Sequence, residues 1–274
     1  REDGMYLYTL PSCIDDVDFG ITHVIRGEDH VTNTATQVEI FEKLVELRGS
    51  GQVPQFAHHS LLVGADGQGL SKRLGSLSIA AMREDGLEAA AIPSLLARLG
   101  TSDPVLPVAH IDGLVEGFGF DKMGRAPARF DMDELEALNA KILHELPYAD
   151  VAGRLQGLDV SEELWNTVRG NVTRLADAGD WKAVVDGPVT PVIAEEDREF
   201  AQAAAGLVPE GPLDDNSWGA LTAALKDATG RKGKGLFMPL RLALTGQPHG
   251  PDMGVMFRLI GADKARARLS GETA

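Results

Sequence analysis

The chain has a single cysteine, Cys13, among its 274 residues. Neither an intrachain disulfide nor a cysteine-rich zinc site can therefore form within it. No apolar run approaches the ~18 residues that a membrane-spanning helix needs, and no signal-peptide pattern opens the chain. Positive charge is also scarce, with 26 lysines and arginines against 41 aspartates and glutamates and a net charge of −15. That balance argues against a non-specific nucleic-acid binder, whose affinity comes mostly from neutralising phosphates. It leaves room for a shape-reading RNA binder with local basic patches. Fixed-period repeats and low-complexity tracts are absent. These features fit a cytoplasmic protein with no membrane partner.

What is present is ordinary for a globular protein: 43% hydrophobic and 24% charged residues, in a length that suits one to three domains. Met5 to Ile14, Thr22 to Ile25 and Phe56 to Val63 read as strands. Val31 to Leu47 carries apolar residues at helical spacing, with Thr32 or Asn33 as its cap. Beyond Ser78 the expected elements are helices. They are Ile79 to Glu84, Leu87 to Leu99, Ile111 to Gly117, Met132 to Leu146, Glu162 to Arg169, Glu196 to Ala205, Trp218 to Ala228, Phe237 to Leu244 and Met253 to Ile260. The fold class expected is mixed: a partial α/β nucleotide-binding half-domain of Rossmann type over residues 1–80, a helical region over 81–150, and a helical domain over 151–274. The chain starts at Arg1 rather than at methionine, and Met5 to Tyr8 already reads as a strand. A piece of a longer protein is expected.

Two segments carry the chemistry. Arg26-Gly27-Glu28-Asp29-His30 follows a strand, where an arginine can fork onto a carboxylate and Gly27 lets the backbone approach a ligand. Gly69-Leu70-Ser71-Lys72-Arg73-Leu74-Gly75-Ser76 is a glycine-flanked basic turn that can bring ammonium and guanidinium groups to a polyphosphate. Each alone has a plain structural reading, as a surface ion-pair partner and an exposed loop. A site holding both a carboxylate and a triphosphate is one for activating the carboxylate. His58 and His59 resemble metal ligands, but adjacent strand residues face opposite ways, and they read as structural. Two basic groups stand near the end, Arg231-Lys232-Gly233-Lys234 with Arg241, and Lys264, Arg266 and Arg268; taken alone, both read as solvated surface. Trp165, Trp181 and Trp218 read as packing residues rather than base-stacking platforms.

The long pattern Ile14-Asp15-Asp16, Gly20-Ile21-Thr22-His23-Val24-Ile25 and Arg26 to His30, with Ala57-His58-His59-Ser60-Leu61-Leu62-Val63-Gly64-Ala65-Asp66-Gly67 before the basic turn, resembles the back half of a bacterial-type glutamyl-tRNA synthetase, a class I aminoacyl-tRNA synthetase. Lys232 to Gly246 and His249-Gly250-Pro251 resemble that family's carboxy-terminal helical region. By resemblance, Tyr8, Ser12 and Arg26 contact the glutamate, with Ser12 standing where many members have asparagine. Asp29, His30, Leu70, Ser71 and Lys72 border ATP. Lys72 and Arg73 would be catalytic, with Lys72 stabilising charge on the α-phosphate and departing pyrophosphate, although Gly69 replaces the family's usual lysine at the head of the loop. Lys232, Lys234 and Arg241 are candidate phosphate contacts in a helical anticodon-binding domain.

The resemblance implies an ATP-dependent ligase that joins glutamate to tRNA, first as the adenylate. Magnesium would accompany ATP as substrate, with no protein zinc site. The partners implied are tRNA(Glu), with tRNA(Gln) as a further candidate, and the state implied is a monomer. The His-x-Gly-His motif that class I enzymes use to hold ATP phosphates occurs nowhere in the chain, so the chain alone is expected to bind tRNA but not to ligate. The alternative is a non-catalytic tRNA-binding or regulatory paralogue, in which the Arg26 and Lys72 segments would have no task. Shortened enzymes that glutamylate a tRNA base lack the helical body. Glutaminyl-tRNA synthetase has carboxy-terminal β-barrels where this tail reads as helical.

Overall fold

A computed structural model of the chain describes residues 2–64, 66–70 and 78–274. Its elements run, in order, α1 (Thr9–Asp18), β1 (His23–Gly27), α2 (Val31–Arg48), β2 (Gln55–His59), β3 (Leu62–Gly64), α3 (Ile79–Glu84), α4 (Ala91–Leu96), α5 (Asp112–Val115) and β4 (Ala128–Phe130). Only helices follow: α6 (Met132–Glu145), α7 (Tyr148–Leu155), α8 (Glu162–Val168), α9 (Asp177–Asp186), α10 (Arg198–Leu207), α11 (Ser217–Thr229), α12 (Lys234–Thr245), α13 (Met253–Ile260) and α14 (Ala262–Leu269). The mixed class expected from sequence, α/β and then helical, is what the chain adopts. Its contacts divide it into two compact units. One comprises Arg1–Leu77, Pro93–Leu106 and Ile111–Asp133; the other comprises Ser78–Ile92, Pro107–His110 and Glu134–Ala274.

In the first unit, β1 and β2 pair in parallel, with Val24 opposite Phe56 and Arg26 opposite His58, and α2 is the crossover between them. Parallel strands need such a connection, and the helical spacing of Ala35, Val38, Phe41 and Val45 supplies it. Phe41 is fully buried, and its ring stands 6.0 Å from that of Phe56. α2 ends at Gly49, which takes the left-handed conformation (φ +65°) and returns its N–H to the Val45 carbonyl. β3 pairs in parallel with β4.

Three sequence expectations fail in this unit. Met5 to Ile14 is not a strand: exposed irregular chain leads into α1 at Thr9. Leu10, Cys13, Ile14 and Val17 recur at helical rather than strand spacing, and Pro11 falls in the first turn, where its missing N–H costs nothing. Neither Thr32 nor Asn33 caps α2. A 3-10 turn over Glu28–His30 feeds straight into the helix, and both residues already lie inside it. The stretch Phe56 to Val63 is broken at Ser60-Leu61, so β2 and β3 belong to different two-stranded sheets.

The second unit is a helical body. α3 and α13 span the residues that apolar spacing marks, whereas α7, α9 and α14 are helices it does not reveal. Asn139, fully buried, ties two loops to α6: its side-chain oxygen accepts from Glu88 N at 2.7 Å and its amide donates to the Thr173 carbonyl at 2.8 Å. Trp165 is fully buried and donates Nε1–H to the Leu146 carbonyl at 3.0 Å. The Trp218 ring packs 5.5 Å from that of Phe257. Both tryptophans thus pack inward, as their sequence context suggests.

Candidate active site

β1 delivers Arg26 to the point where the chain turns through Glu28–His30 into α2. Thr34 and Gln37, three residues apart on that helix, lie beside the guanidinium. Nη2 of Arg26 donates to Thr34 Oγ1 at 2.8 Å and to Gln37 Oε1 at 2.5 Å, and Nη1 donates to the Tyr8 hydroxyl at 3.2 Å. The guanidinium carbon stands 5.6 Å from the centre of the Phe56 ring, a cation–π contact that helps hold its plane. Gln37 is 2% exposed; its amide donates to Ser12 Oγ at 3.2 Å, and Ser12 Oγ donates to the Thr9 carbonyl at 3.1 Å. Tyr8, Ser12 and Arg26, the three residues the sequence singles out for the amino acid, therefore belong to one hydrogen-bonded chain. Tyr8 meets Arg26 directly and Ser12 meets it through Gln37.

Sequence reading overlooked Thr34 and Gln37. Their signal was available: polar residues one turn apart on a helix that starts just after the Arg26 segment. His58, opposite Arg26 in the sheet, places Nε2 3.0 Å from Thr34 Oγ1, and exposed His59 puts Nδ1 3.0 Å from the Ser60 carbonyl. No cluster of three acidic, histidine or cysteine side chains among the described residues is arranged to hold a metal ion. Beside Ser12, Cys13 is fully buried, and burial is the main cause that pushes its thiol pKa up. Burial, and then the neighbouring Asp15 charge, raises the Asp16 carboxyl, against the opposing pull of Arg26.

The residues expected at ATP are placed unevenly. Asp29 is exposed and His30 half-buried, with 3.9 Å between Asp29 Oδ2 and His30 Nε2, and the His30 ring stands 5.8 Å from that of Tyr8. A side chain at Gly27 would put Cβ 2.5 Å from Asp29 Oδ1 and 3.0 Å from Leu61, so the space beside this glycine is filled by the Asp29 carboxylate. Half-buried Leu70 follows a tight turn in which Gly64 N donates to the Gln68 carbonyl at 2.8 Å and Val63 bridges Gly69. Ser71, Lys72 and Arg73 lie outside the described residues.

In the helical unit, Lys232 and Lys234 are exposed at the head of α12. Arg231, between Gly230 and Gly233, folds inward, 4.3 Å over the Phe200 ring and paired with Asp197. Its Nη1 also lies 3.5 Å from the Gly235 carbonyl, which lacks the usual helical donor because Pro239 stands four residues on. Arg241, a candidate phosphate contact by sequence, is half-buried and donates Nη2 to the Pro251 carbonyl at 2.8 Å, while its buried Nη1 has no hydrogen-bond partner. The group Lys264, Arg266 and Arg268 is not the solvated surface the sequence suggests. Lys264 donates to the Val185 carbonyl at 3.0 Å, Arg266 reaches the Val208 and Pro209 carbonyls, and Arg268 is fully buried. These cations complete the ends of helices and loops.

A family described as tRNA synthetases class I (E and Q), catalytic domain, matches residues 1–137, and one described as an anticodon binding domain matches residues 191–271. "Glutamate--tRNA ligase 1" of Maricaulis maris is 56% identical over 277 residues, spanning 100% of this chain and 61% of the relative. "Glutamate--tRNA ligase 2" of Hyphomonas neptunium is 55% identical, across 98% of this chain and 60% of the relative. Among solved structures, a glutamate tRNA ligase from Elizabethkingia meningosepticum, crystallised in complex with its amino acid, superposes with a TM-score of 0.77 at 25% identity, over 98% of this chain and 60% of that one. The chain thus spans about three-fifths of the length of the curated relatives it matches.

Proposed function

The chain belongs to the class I tRNA synthetases of the E and Q type, and from that premise we propose that it forms the Arg26-bearing part of the catalytic domain and the helical anticodon-binding part of a glutamate–tRNA ligase. The observation that carries this reading is the Arg26 cluster. A guanidinium is held on one side by Thr34 and Gln37, and Nη1 and the Tyr8 hydroxyl stand together on another. Fixed donors of this kind suit a carboxylate, because charge-assisted hydrogen bonds from a pre-oriented guanidinium lose little entropy on binding. Glutamate supplies such a group on its side chain, and activation of its α-carboxylate by ATP yields the adenylate that tRNA then accepts. Magnesium enters with ATP as a companion of the substrate.

The basic turn that contains Lys72 and Arg73 has the adenylation role in this proposal, with Asp29, His30, Leu70 and Ser71 bordering the nucleotide. Lys232 and Lys234 are the phosphate contacts, and Arg241 holds the segment around Pro251 behind them. Residues 1–80, 81–150 and 151–274 are then catalytic, stem-contacting and anticodon-binding. A monomeric cytoplasmic enzyme, with tRNA(Gln) as a second acceptor beside tRNA(Glu), completes the reading. In the ligase that contains this segment, Lys72→Ala is expected to lower the rate of glutamate-dependent pyrophosphate exchange by about a hundredfold to a thousandfold. The KM for glutamate should move less than about threefold, because the lysine acts on charge that develops only in the transition state. An exchange rate within about threefold of wild type would remove the catalytic role from Lys72.

A further inference from the structure

We propose that Gln37 and Thr34 are positioning residues that determine which protons Arg26 offers, and thereby the preference of the site for a carboxylate over a carboxamide. The proposal rests on the reading of this cluster as the glutamate site. Protons can be assigned one by one along the chain of hydrogen bonds. Nη2 of Arg26 has two, and Thr34 Oγ1 and Gln37 Oε1 accept both. Nε has one, which is buried and meets no acceptor among the described residues. Nη1 has two; the Tyr8 oxygen accepts one, and the other meets no acceptor among the described residues. Because the Tyr8 oxygen receives from Arg26, its own proton is available to a ligand, and Tyr8 is 55% exposed.

Further back, Gln37 gives an amide proton to Ser12 Oγ, and Ser12 gives its only proton to the Thr9 carbonyl. Ser12 thus has no proton left for a substrate carboxylate; its task is to fix the orientation of the Gln37 amide. Thr34 Oγ1 lies 3.0 Å from both the His30 carbonyl and His58 Nε2. Having one proton, it donates to the carbonyl and accepts from Nε2–H of His58, which satisfies both contacts.

Two donors therefore face outward, one N–H of Nη1 and the Tyr8 O–H. The oxygens of Gln37 and Thr34 that could have welcomed an amide N–H are already taken up by the guanidinium. A carboxylate accepts from both outward donors. A carboxamide of the same length sets its NH2 group against a donor, and a donor that the bound ligand covers without accepting from it is what makes such sites selective.

The test is pyrophosphate exchange with glutamate and with glutamine by the ligase that contains this segment. Gln37→Met and Thr34→Val should each raise the KM for glutamate about tenfold with kcat within about twofold, and should cut the kcat/KM ratio of glutamate to glutamine by about tenfold. Gln37→Glu should raise that KM further than Gln37→Met does, because a carboxylate fixed beside the guanidinium cancels its charge. A merely structural Gln37 would give the opposite order, since glutamate preserves its shape better. Thr34→Ser, which keeps the hydroxyl, should behave as wild type. If Gln37→Met does not fold, the Thr34→Val and Thr34→Ser pair decides alone. The proposal is overturned if Thr34→Val leaves the KM unchanged, or if Gln37→Glu binds glutamate as well as Gln37→Met. An Arg26→Ala control separates the two levels. A raised KM there with unmoved Gln37 and Thr34 variants defeats only this proposal, whereas an unmoved KM in Arg26→Ala defeats the glutamate reading itself.

Discussion

Arg268→Met is expected to destabilise the helical unit by about 3–5 kcal/mol. Arg268 is fully buried, and no aspartate or glutamate pairs with it among the described residues. Its Nη1 donates to the Val184 carbonyl at 2.8 Å and to the Leu244 carbonyl at 2.7 Å, and its Nε donates to the Ala274 carbonyl at 2.8 Å. Val184 and Leu244 lie in the last turns of α9 and α12. The residue four positions beyond each is a proline, Pro188 and Pro248, so neither carbonyl can receive the usual helical N–H. One guanidinium replaces both missing donors.

The negative ends of two helix dipoles also stabilise its charge, which offsets part of the desolvation that holds its pKa below the usual arginine value. Replacing a buried ion pair with apolar residues can be neutral when both partners go. Here the carbonyls stay, buried and unpaired, so methionine cannot compensate. Urea unfolding followed by tryptophan fluorescence measures the effect, since Trp165, Trp181 and Trp218 all belong to this unit. A loss below about 1 kcal/mol would show that the carbonyls find other donors.

The largest effect on the KM for glutamate is expected at Arg26. In the ligase that contains this segment, Arg26→Ala removes the central donor of the cluster, and the KM for glutamate should rise about a hundredfold, equivalent to roughly 3 kcal/mol of charge-assisted hydrogen bonding. The fall in kcat should be smaller, under about tenfold, because the side-chain carboxylate is held alike in ground and transition states. Arg26→Lys should rescue little of this. An ammonium has no planar fork with which to serve Thr34, Gln37 and Tyr8 at once, and it stacks on Phe56 less well than a guanidinium. Steady-state pyrophosphate exchange across a range of glutamate concentrations reads both parameters, and an unchanged KM would remove Arg26 from the glutamate site.

Much of the fold is legible where a helix buries large apolar residues. Met253–Ile260 puts Met253, Met256, Phe257 and Ile260 inside, and its bounds follow from that spacing. α14 is not legible in the same way, because beside Leu269 it buries only small or charged residues, Ala262, Ala265 and Arg268, which leave no large apolar stripe. The burial of Arg268 depends on two prolines far away in the chain, which no local pattern reports. Arg26 and Tyr8 are visible in the sequence because the motif around them is long. Gln37 is fainter: its spacing from Thr34 is in the sequence, but the burial that sets it apart from any surface glutamine shows only in the structure. Met5 to Ile14 misleads for a different reason: a short apolar run does not declare its period, and Pro11, a strand breaker, is harmless in the first turn of a helix.

Binding of this chain to a tRNA with the glutamate anticodon, compared with the same tRNA carrying an altered anticodon at one fixed moderate salt concentration, is the most direct measurement. If residues 151–274 form the anticodon-binding part of a glutamate–tRNA ligase, the altered anticodon should weaken binding by at least about tenfold, the cost of one lost base contact. Equal affinity for both tRNAs, or none for either, would contradict the anticodon-binding role given to the helical unit.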